Sequence, residues 1–420
     1  MPGWPLCLTP TRVQTTAASM QTKASSQEPG IDGRLLSMFA LLWLAGLYLR
    51  IPVLSAPPLA TTIAADLSLG PVSVGALTML PVLLVALGAI PGSWLMEKIG
   101  VRPALISGML FMALMSAARG LAHSAPSILG FTALMGLGIA VMQTALPSIV
   151  GRWAPRHLAL GSAIYMNAMM VGEFAGAGLT LPVVMPLAGH DWRMALALWS
   201  LPVIVIALLL LIPPTTGKPA PERNRDWKPD WRDTHIWRLG MLTAGSVIIF
   251  YAINAYMGSV LEARGELESL AILLAAFNLS PFAASVVMLV MSERWLRRDA
   301  PMIISASIGA FGLIGFLLLP GWAGMVSAVL AGFAATIELI LLVSLPPAIV
   351  TGNAIGRLTS GMTSIGYGLA FVLPLTGGLI AEKLEMDALT LLPAIICALG
   401  SIVCGFGISS MSNRTPPDRV

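Results

Sequence analysis

"LLSMFALLWLAGLYLRIPVLSAPPLA", residues 35–60, is an apolar run of membrane length that carries one charge, Arg50. The hydrocarbon core of a bilayer is about 30 Å thick, so a spanning helix needs about 20 apolar residues at about 1.5 Å rise each. The first part of the run meets that condition. The second part holds Pro52, Pro57 and Pro58, which lack the backbone N–H that a helix interior uses. The stretch therefore predicts a transmembrane helix that breaks beside its charge.

The rest of the chain repeats the apolar run. Of its 420 residues 56% are hydrophobic and 10% charged, against about 25% charged in soluble domains. A surface so poor in charge faces lipid. Twelve spans are expected, near 35–57, 73–95, 104–122, 128–150, 159–183, 193–213, 239–260, 269–291, 301–319, 324–346, 358–380 and 389–409. The polar loop from Pro213 to His235 divides them six and six. The expected organisation is a disordered tail (1–34), a six-helix half (35–212), a central loop (213–238), a second six-helix half (239–410) and a short tail (411–420). The first tail lacks a compact apolar core with a cleavage site, so it does not read as a cleaved signal peptide. It is a disordered segment, or an over-called start with Met20 as the first residue.

Orientation follows from Lys and Arg. With the N-terminus inside, 19 of the 24 fall on inside segments, Arg119, Arg193, Arg264 and Lys383 fall outside, and Arg50 lies within a span. Cytoplasmic loops carry the basic excess, so both termini and the central loop are expected in the cytoplasm, with the chain in the inner membrane. The pI near 9.1 then reflects loops facing anionic lipid, and no nucleic-acid partner is needed. Cys397 and Cys404 are seven residues apart on one helix, about 10.5 Å and too far for a disulfide. The four histidines fall in or beside loops. These residues give no metal site, catalytic residue or cofactor site, and an enzyme is not expected. There is no nucleotide-binding Walker loop, so gradients must supply energy.

Two pairs of segments suggest an internal repeat. "EKIGVR" (97–102) follows span 2 and "ERWLRR" (293–298) follows span 8; "LPSIV" (146–150) ends span 4 and "LPPAIV" (345–350) ends span 10. Two six-helix halves about a central loop resemble the major facilitator superfamily. So does Ser93, Glu97, Lys98, Gly100, Arg102, which is similar to that superfamily's Gly-x-x-x-Asp-Arg-x-Gly-x-Arg loop between helices 2 and 3. In that resemblance the acid–base pair locks a gate and Gly100 makes the turn, with Glu293 and Arg294 as the weaker second copy. Within the superfamily, "RIPVLSAPPL", "LTMLPVLLVALGA" (77–89), "GLGIAVMQTALPSIVGRWAPR" (136–156), "IGYGLAFVLPLTGGL" (365–379) and Arg119 in "SAARGLA" resemble the cyanate and 2-nitroimidazole transporters, the CynX/NimT family. The resemblance covers about 35–410 and implies a twelve-helix secondary transporter working by alternating access, with helices 1, 4, 7 and 10 around a central cavity.

Charges inside spans cost roughly 2.5–3.5 kcal/mol each on insertion scales and tend to face cavities or partners. Arg50 is about 22 Å into its span, beside a proline break, and its planar fork suits a small planar anion. The bland alternative is an interfacial anchor, or an ion pair with Glu338 or Glu173. Arg119 is a candidate second cation in the cavity, or an outer-surface residue. Gln143, Tyr251 and Asn254 are candidates to hydrogen-bond the cargo, with helix–helix glue as the alternative. Glu338, deep in span 10, is the candidate proton-coupling or Arg50-paired acid, and Glu173, in a glycine-rich seam, an interhelical hydrogen-bond partner. The sequence thus points to an all-α membrane transporter, expected to work as a monomer, for a small anion or compact polar heterocycle, with protons as a candidate coupling ion. A proton-coupled drug or cation exporter and a non-transporting membrane sensor are the rivals.

Overall fold

The computed structural model describes residues 33–69, 71–212, 227–296, 298–384 and 390–408. The tail expectations for 1–32 and 409–420, and the central loop over 213–226, lie outside the described residues. Every element among the described residues is helical. In chain order they are α1 (Gly33–Leu67), α2 (Pro71–Ile99), α3 (Val101–Ala118), α4 (Ala125–Trp153), α5 (Leu158–Leu179), α6 (Trp192–Leu209), α7 (Thr234–Ala263), α8 (Leu270–Trp295), α9 (Asp299–Leu318), α10 (Gly321–Ile349), α11 (Asn353–Leu384) and α12 (Leu392–Gly405).

Eleven of these segments are long and apolar enough to cross a membrane. The last, α12, has 14 residues, short of the expected 389–409 span. It starts with Pro393 in its first turn and ends where Phe406 turns extended. Prolines shape several others. Helix α6 pauses at Leu201 ahead of Pro202, and α5 runs on through a π-helical turn, Thr180–Val184, that contains Pro182. A π-turn lets a helix absorb a residue that cannot donate a hydrogen bond.

Packing repeats with a shift of six helices. In the first half α2 and α3 pack on α4, and α1 packs on α5. In the second, α8 and α9 pack on α10, and α7 packs on α11. The halves meet along α2–α11 and α5–α8, which the same shift interchanges. Hydrogen bonds cross both seams: Ser364 donates to the Ala86 carbonyl at 2.8 Å on α2–α11, and Asn167 donates to Ser285 Oγ at 3.0 Å on α5–α8.

Small residues decide how near α5 comes to α1. A Cβ on Gly172 would run into the Leu47 carbonyl, one on Gly46 into the Tyr165 carbonyl, and one on Gly176 would lie 2.9 Å from the Ile51 carbonyl. Without hydrophobic drive between helices in lipid, such contact supplies the packing. It also places α5 directly against the break in α1. Adding a methyl there overpacks a rigid backbone contact, at about 1–3 kcal/mol. Gly172→Ala should lower the melting temperature of the detergent-purified protein, whereas Gly368→Ala, where an added Cβ meets nothing within 4 Å, should not. Equal melting temperatures for the two variants would show that the α1–α5 contact is not tight.

Candidate functional site

The break in α1 builds the site. Pro52 cannot donate to the Tyr48 carbonyl, so helix Gly33–Leu47 ends and the chain tightens. Tyr48, Leu49 and Arg50 donate to carbonyls three residues back, at 3.3, 3.1 and 3.3 Å. Arg50 leaves helical geometry (φ −125°, ψ −33°), and its own carbonyl accepts from Val53 and Leu54 to start the next short helix, Ile51–Leu54. The guanidinium is thus carried on the hinge between two helical pieces.

It projects into a cavity of about 410 Å³, open mouth included, between α1, α5, α7, α8, α10 and α11. Arg50 Nη1 donates to Tyr251 OH at 3.1 Å, while Nε is buried without a partner. Glu173 of α5 lines the same cavity. The two charges lie within electrostatic reach, but no Arg50 nitrogen comes within 4.0 Å of a Glu173 oxygen. Tyr367, Ser246 and Thr336 add hydroxyls, and Met169, Met170, Phe250, Pro281 and Leu339 make the rest largely apolar. A second recess of about 320 Å³ shares Arg50, Tyr251 and Tyr367 and is lined by Gln143, whose Nε2 donates to Tyr367 OH at 3.4 Å.

Of the residues singled out from sequence, the fold brings Arg50, Gln143, Tyr251 and Glu173 together. Arg119, Asn254 and Glu338 stand apart from both cavities, and Asn254 makes the helix–helix contact that was its alternative reading. Arg119 is 1% exposed, and its Nη2 donates to the Pro52 carbonyl and to Ser116 Oγ, both at 2.8 Å. Its Nε donates to the Ser116 carbonyl at 3.3 Å, and Nη1 is buried without a partner. The side chain lines neither the Arg50 cavity nor the recess beside it. Asn254 faces α8, donating to the Phe250 carbonyl and accepting from Asn278, both at 3.0 Å. Glu338 is fully buried with both oxygens unpartnered, and it lies toward Cys397 of α12 rather than Arg50. The cavity side of α10 is formed by Ala335, Thr336 and Leu339. Tyr367 is a cavity residue not singled out from sequence. Its signal was a tyrosine set between Gly366 and Gly368 in an otherwise apolar helix.

The gate segments lie at one end. Gly100 takes φ 91°, a conformation that favours glycine, and so links α2 to α3. Arg102 Nε donates to the Leu210 carbonyl at 2.5 Å, and Lys98 sits 4.2 Å over the Trp94 ring. Glu97 and Ser93 line a crevice with Asn353, Gly356 and Arg357, at the start of α11 in the other half. Glu293 makes the matching contact. Its Oε1 accepts from the Leu160 N–H at 2.8 Å, in the first turn of α5. Each half thus sets an acid near the start of a helix of the other half, where free N–H groups and the helix dipole favour negative charge. Arg294 is exposed beside it.

The model of the Major Facilitator Superfamily matches residues 38–267. The chain belongs to the Major Facilitator Superfamily. It is 25% identical over 351 residues to the cyanate transport protein CynX of Escherichia coli K12, covering 82% of this chain and 89% of that protein. It is 27% identical to the 2-nitroimidazole transporter of the same organism, covering 53% of this chain and 56% of that one. Among solved structures, FucP in the outward conformation superposes with a TM-score of 0.69 at 14% identity, covering 90% of this chain and 99% of that one. The human organic anion transporter MFSD10 gives 0.67 at 14%, covering 88% and 98%. These likenesses make the chain a multi-pass membrane protein of a transporter superfamily.

The Leu160–Glu293 bond should hold its end of the superfamily fold shut. In a cysteine-free background, a cysteine at Ser148, which is 2% exposed in the crevice, should react faster with a thiol reagent when Glu293→Ala is added. Losing a helix-capping acceptor costs about 0.5–2 kcal/mol, which would raise the open fraction severalfold. An unchanged labelling rate would mean that this bond does not hold the gate.

Proposed function

We propose that the protein is a secondary transporter for a small planar anion, or a compact polar heterocycle that presents an acceptor edge, and that Arg50 is its handle. The observation that carries the reading is the Arg50 guanidinium at the α1 break: charged, lining a cavity, and with Nε buried and unpartnered. A buried donor without an acceptor costs about 1–3 kcal/mol or more for a charged group, and a cargo acceptor would relieve that cost. Tyr251, Tyr367 and Phe250 give aromatic walls on which a flat cargo can lie. The names of the relatives agree with this chemistry, since cyanate is a small anion and 2-nitroimidazole a flat ring with acceptor oxygens.

The two halves rock about the cavity in this reading, and the loop-end contacts of Glu97 and Glu293 close one of its two exits. That end carries the basic loops and is assigned to the cytoplasm, with both termini there, in the inner membrane. The protein works as a monomer.

The test is uptake of radiolabelled cyanate and 2-nitroimidazole into proteoliposomes. Arg50→Ala should insert normally yet lose at least tenfold of the uptake at low cargo concentration, since a hydrogen bond to a charged group is worth about 1.5–3 kcal/mol. Arg50→Lys keeps the charge but not the fork and should recover only part. Wild-type uptake by a well-inserted Arg50→Ala protein would end this reading.

A further inference from the structure

Glu173 raises a problem for an anion site. It is the one acid lining the Arg50 cavity among the described residues, and it sits on the same wall system as the handle without touching it. The other titratable groups facing it are Arg50 from α1, Tyr251 from α7 and Tyr367 from α11. The contributions of α8 and α10 (Pro281, Ala335, Thr336, Leu339) cannot change charge. With the cavity empty, Arg50 and Glu173 sum to no net charge. An anion that takes Arg50 leaves Glu173 as a second negative charge in a mostly apolar chamber, where like charges disfavour one another.

We infer that Glu173 takes up one proton as the anion binds Arg50, so that anion and proton cross together and no net charge moves. This rests on the anion-handle reading and goes beyond it by naming the coupling ion and its carrier. The step balances simply. A proton from water on the loading side joins a Glu173 oxygen; on the far side the anion leaves, Arg50 again faces a carboxylate, and the proton returns to water. The separation of the pair suits this role. In a direct ion pair Glu173 would occupy the donors that the cargo needs, whereas across the cavity it responds to whether Arg50's charge is already neutralised. Glu338, with no cationic partner and no place on the cavity wall, lacks that link to the cargo.

The experiment uses wild-type proteoliposomes and cyanate, with Arg50→Ala proteoliposomes as the background. External pH and labelled cyanate are followed together, with and without a potassium–valinomycin potential of about 100 mV. Such a potential shifts the accumulation of a moving unit charge about 50-fold. The expected wild-type result is one proton taken up per cyanate and accumulation that changes less than twofold with voltage. In Glu173→Gln, whatever its rate, uptake should carry no proton and should respond to voltage. Wild-type uptake without protons and with full voltage response would overturn the proton carrier and leave the anion handle standing. Proton-coupled, voltage-independent uptake by Glu173→Gln would overturn the assignment to this residue. No cyanate uptake above background would overturn the proton carrier together with the cyanate form of the handle reading, and 2-nitroimidazole uptake would then decide the rest of that reading. Glu173→Asp is the second variant. It keeps a carboxyl and should keep one proton per cyanate with a shifted pH dependence of uptake, and a wild-type pH dependence would overturn the assignment to this residue.

Discussion

A backbone broken inside a bilayer must have its freed polar groups satisfied by protein, because lipid offers no hydrogen bonds. Much of the site here depends on how α1 meets that constraint. Its break releases carbonyls that a straight helix would use internally. Ser55 and the buried Arg119 both donate to the Pro52 carbonyl, and Gly46, Gly172 and Gly176 let α5 close over the broken segment. Arg119 thus supports the broken segment, and Arg50 lines the cavity. The two arginines look alike in sequence, at similar depth on helices running the same way. Each keeps one buried nitrogen without a partner, but only Arg50 lines the cavity, while Arg119 is held by the Pro52 carbonyl and Ser116.

The pseudo-symmetry of the halves gives the same economy to the gate. A shift of six helices maps the α2–α11 seam onto the α8–α5 seam, and it maps Glu97 near the start of α11 onto Glu293 at the start of α5. Acid against helix start is a contact that can be broken and remade without leaving a charge in lipid, because it lies at the membrane edge. Rocking of one half on the other would exchange this interface for its opposite. The Asn167–Ser285 and Ser364–Ala86 bonds lie on the same two seams, away from these loop-end contacts.

The helical architecture was legible because lipid imposes length and apolarity on each span. The break at Arg50 was legible because Pro52, Pro57 and Pro58 have one steric meaning. Azimuth was not legible. In a soluble helix the polar face marks the outside, but α10 is apolar on nearly every face, so depth put Glu338 and Glu173 on equal terms. Only packing shows that Ala335, Thr336 and Leu339 make the cavity wall and Glu338 does not. The same absence of contrast hid Tyr367, and it made Asn254, which binds Asn278, look like a match for Tyr251 three residues away. The short α12 was over-read because Phe406 continues the apolar run after the helix has ended.

The central claim is that the cargo anion lies on Arg50, and a heavy-atom pseudohalide tests it most directly. Selenocyanate is linear, monoanionic and strongly scattering at the selenium edge. In a crystal of the protein soaked with it, the anomalous peak is expected inside the Arg50 cavity, with the anion within hydrogen-bond distance of the guanidinium and beside Tyr251 and Glu173. A peak confined to Arg119, to the loop-end crevice or to the surface, with an empty Arg50 cavity, would contradict it.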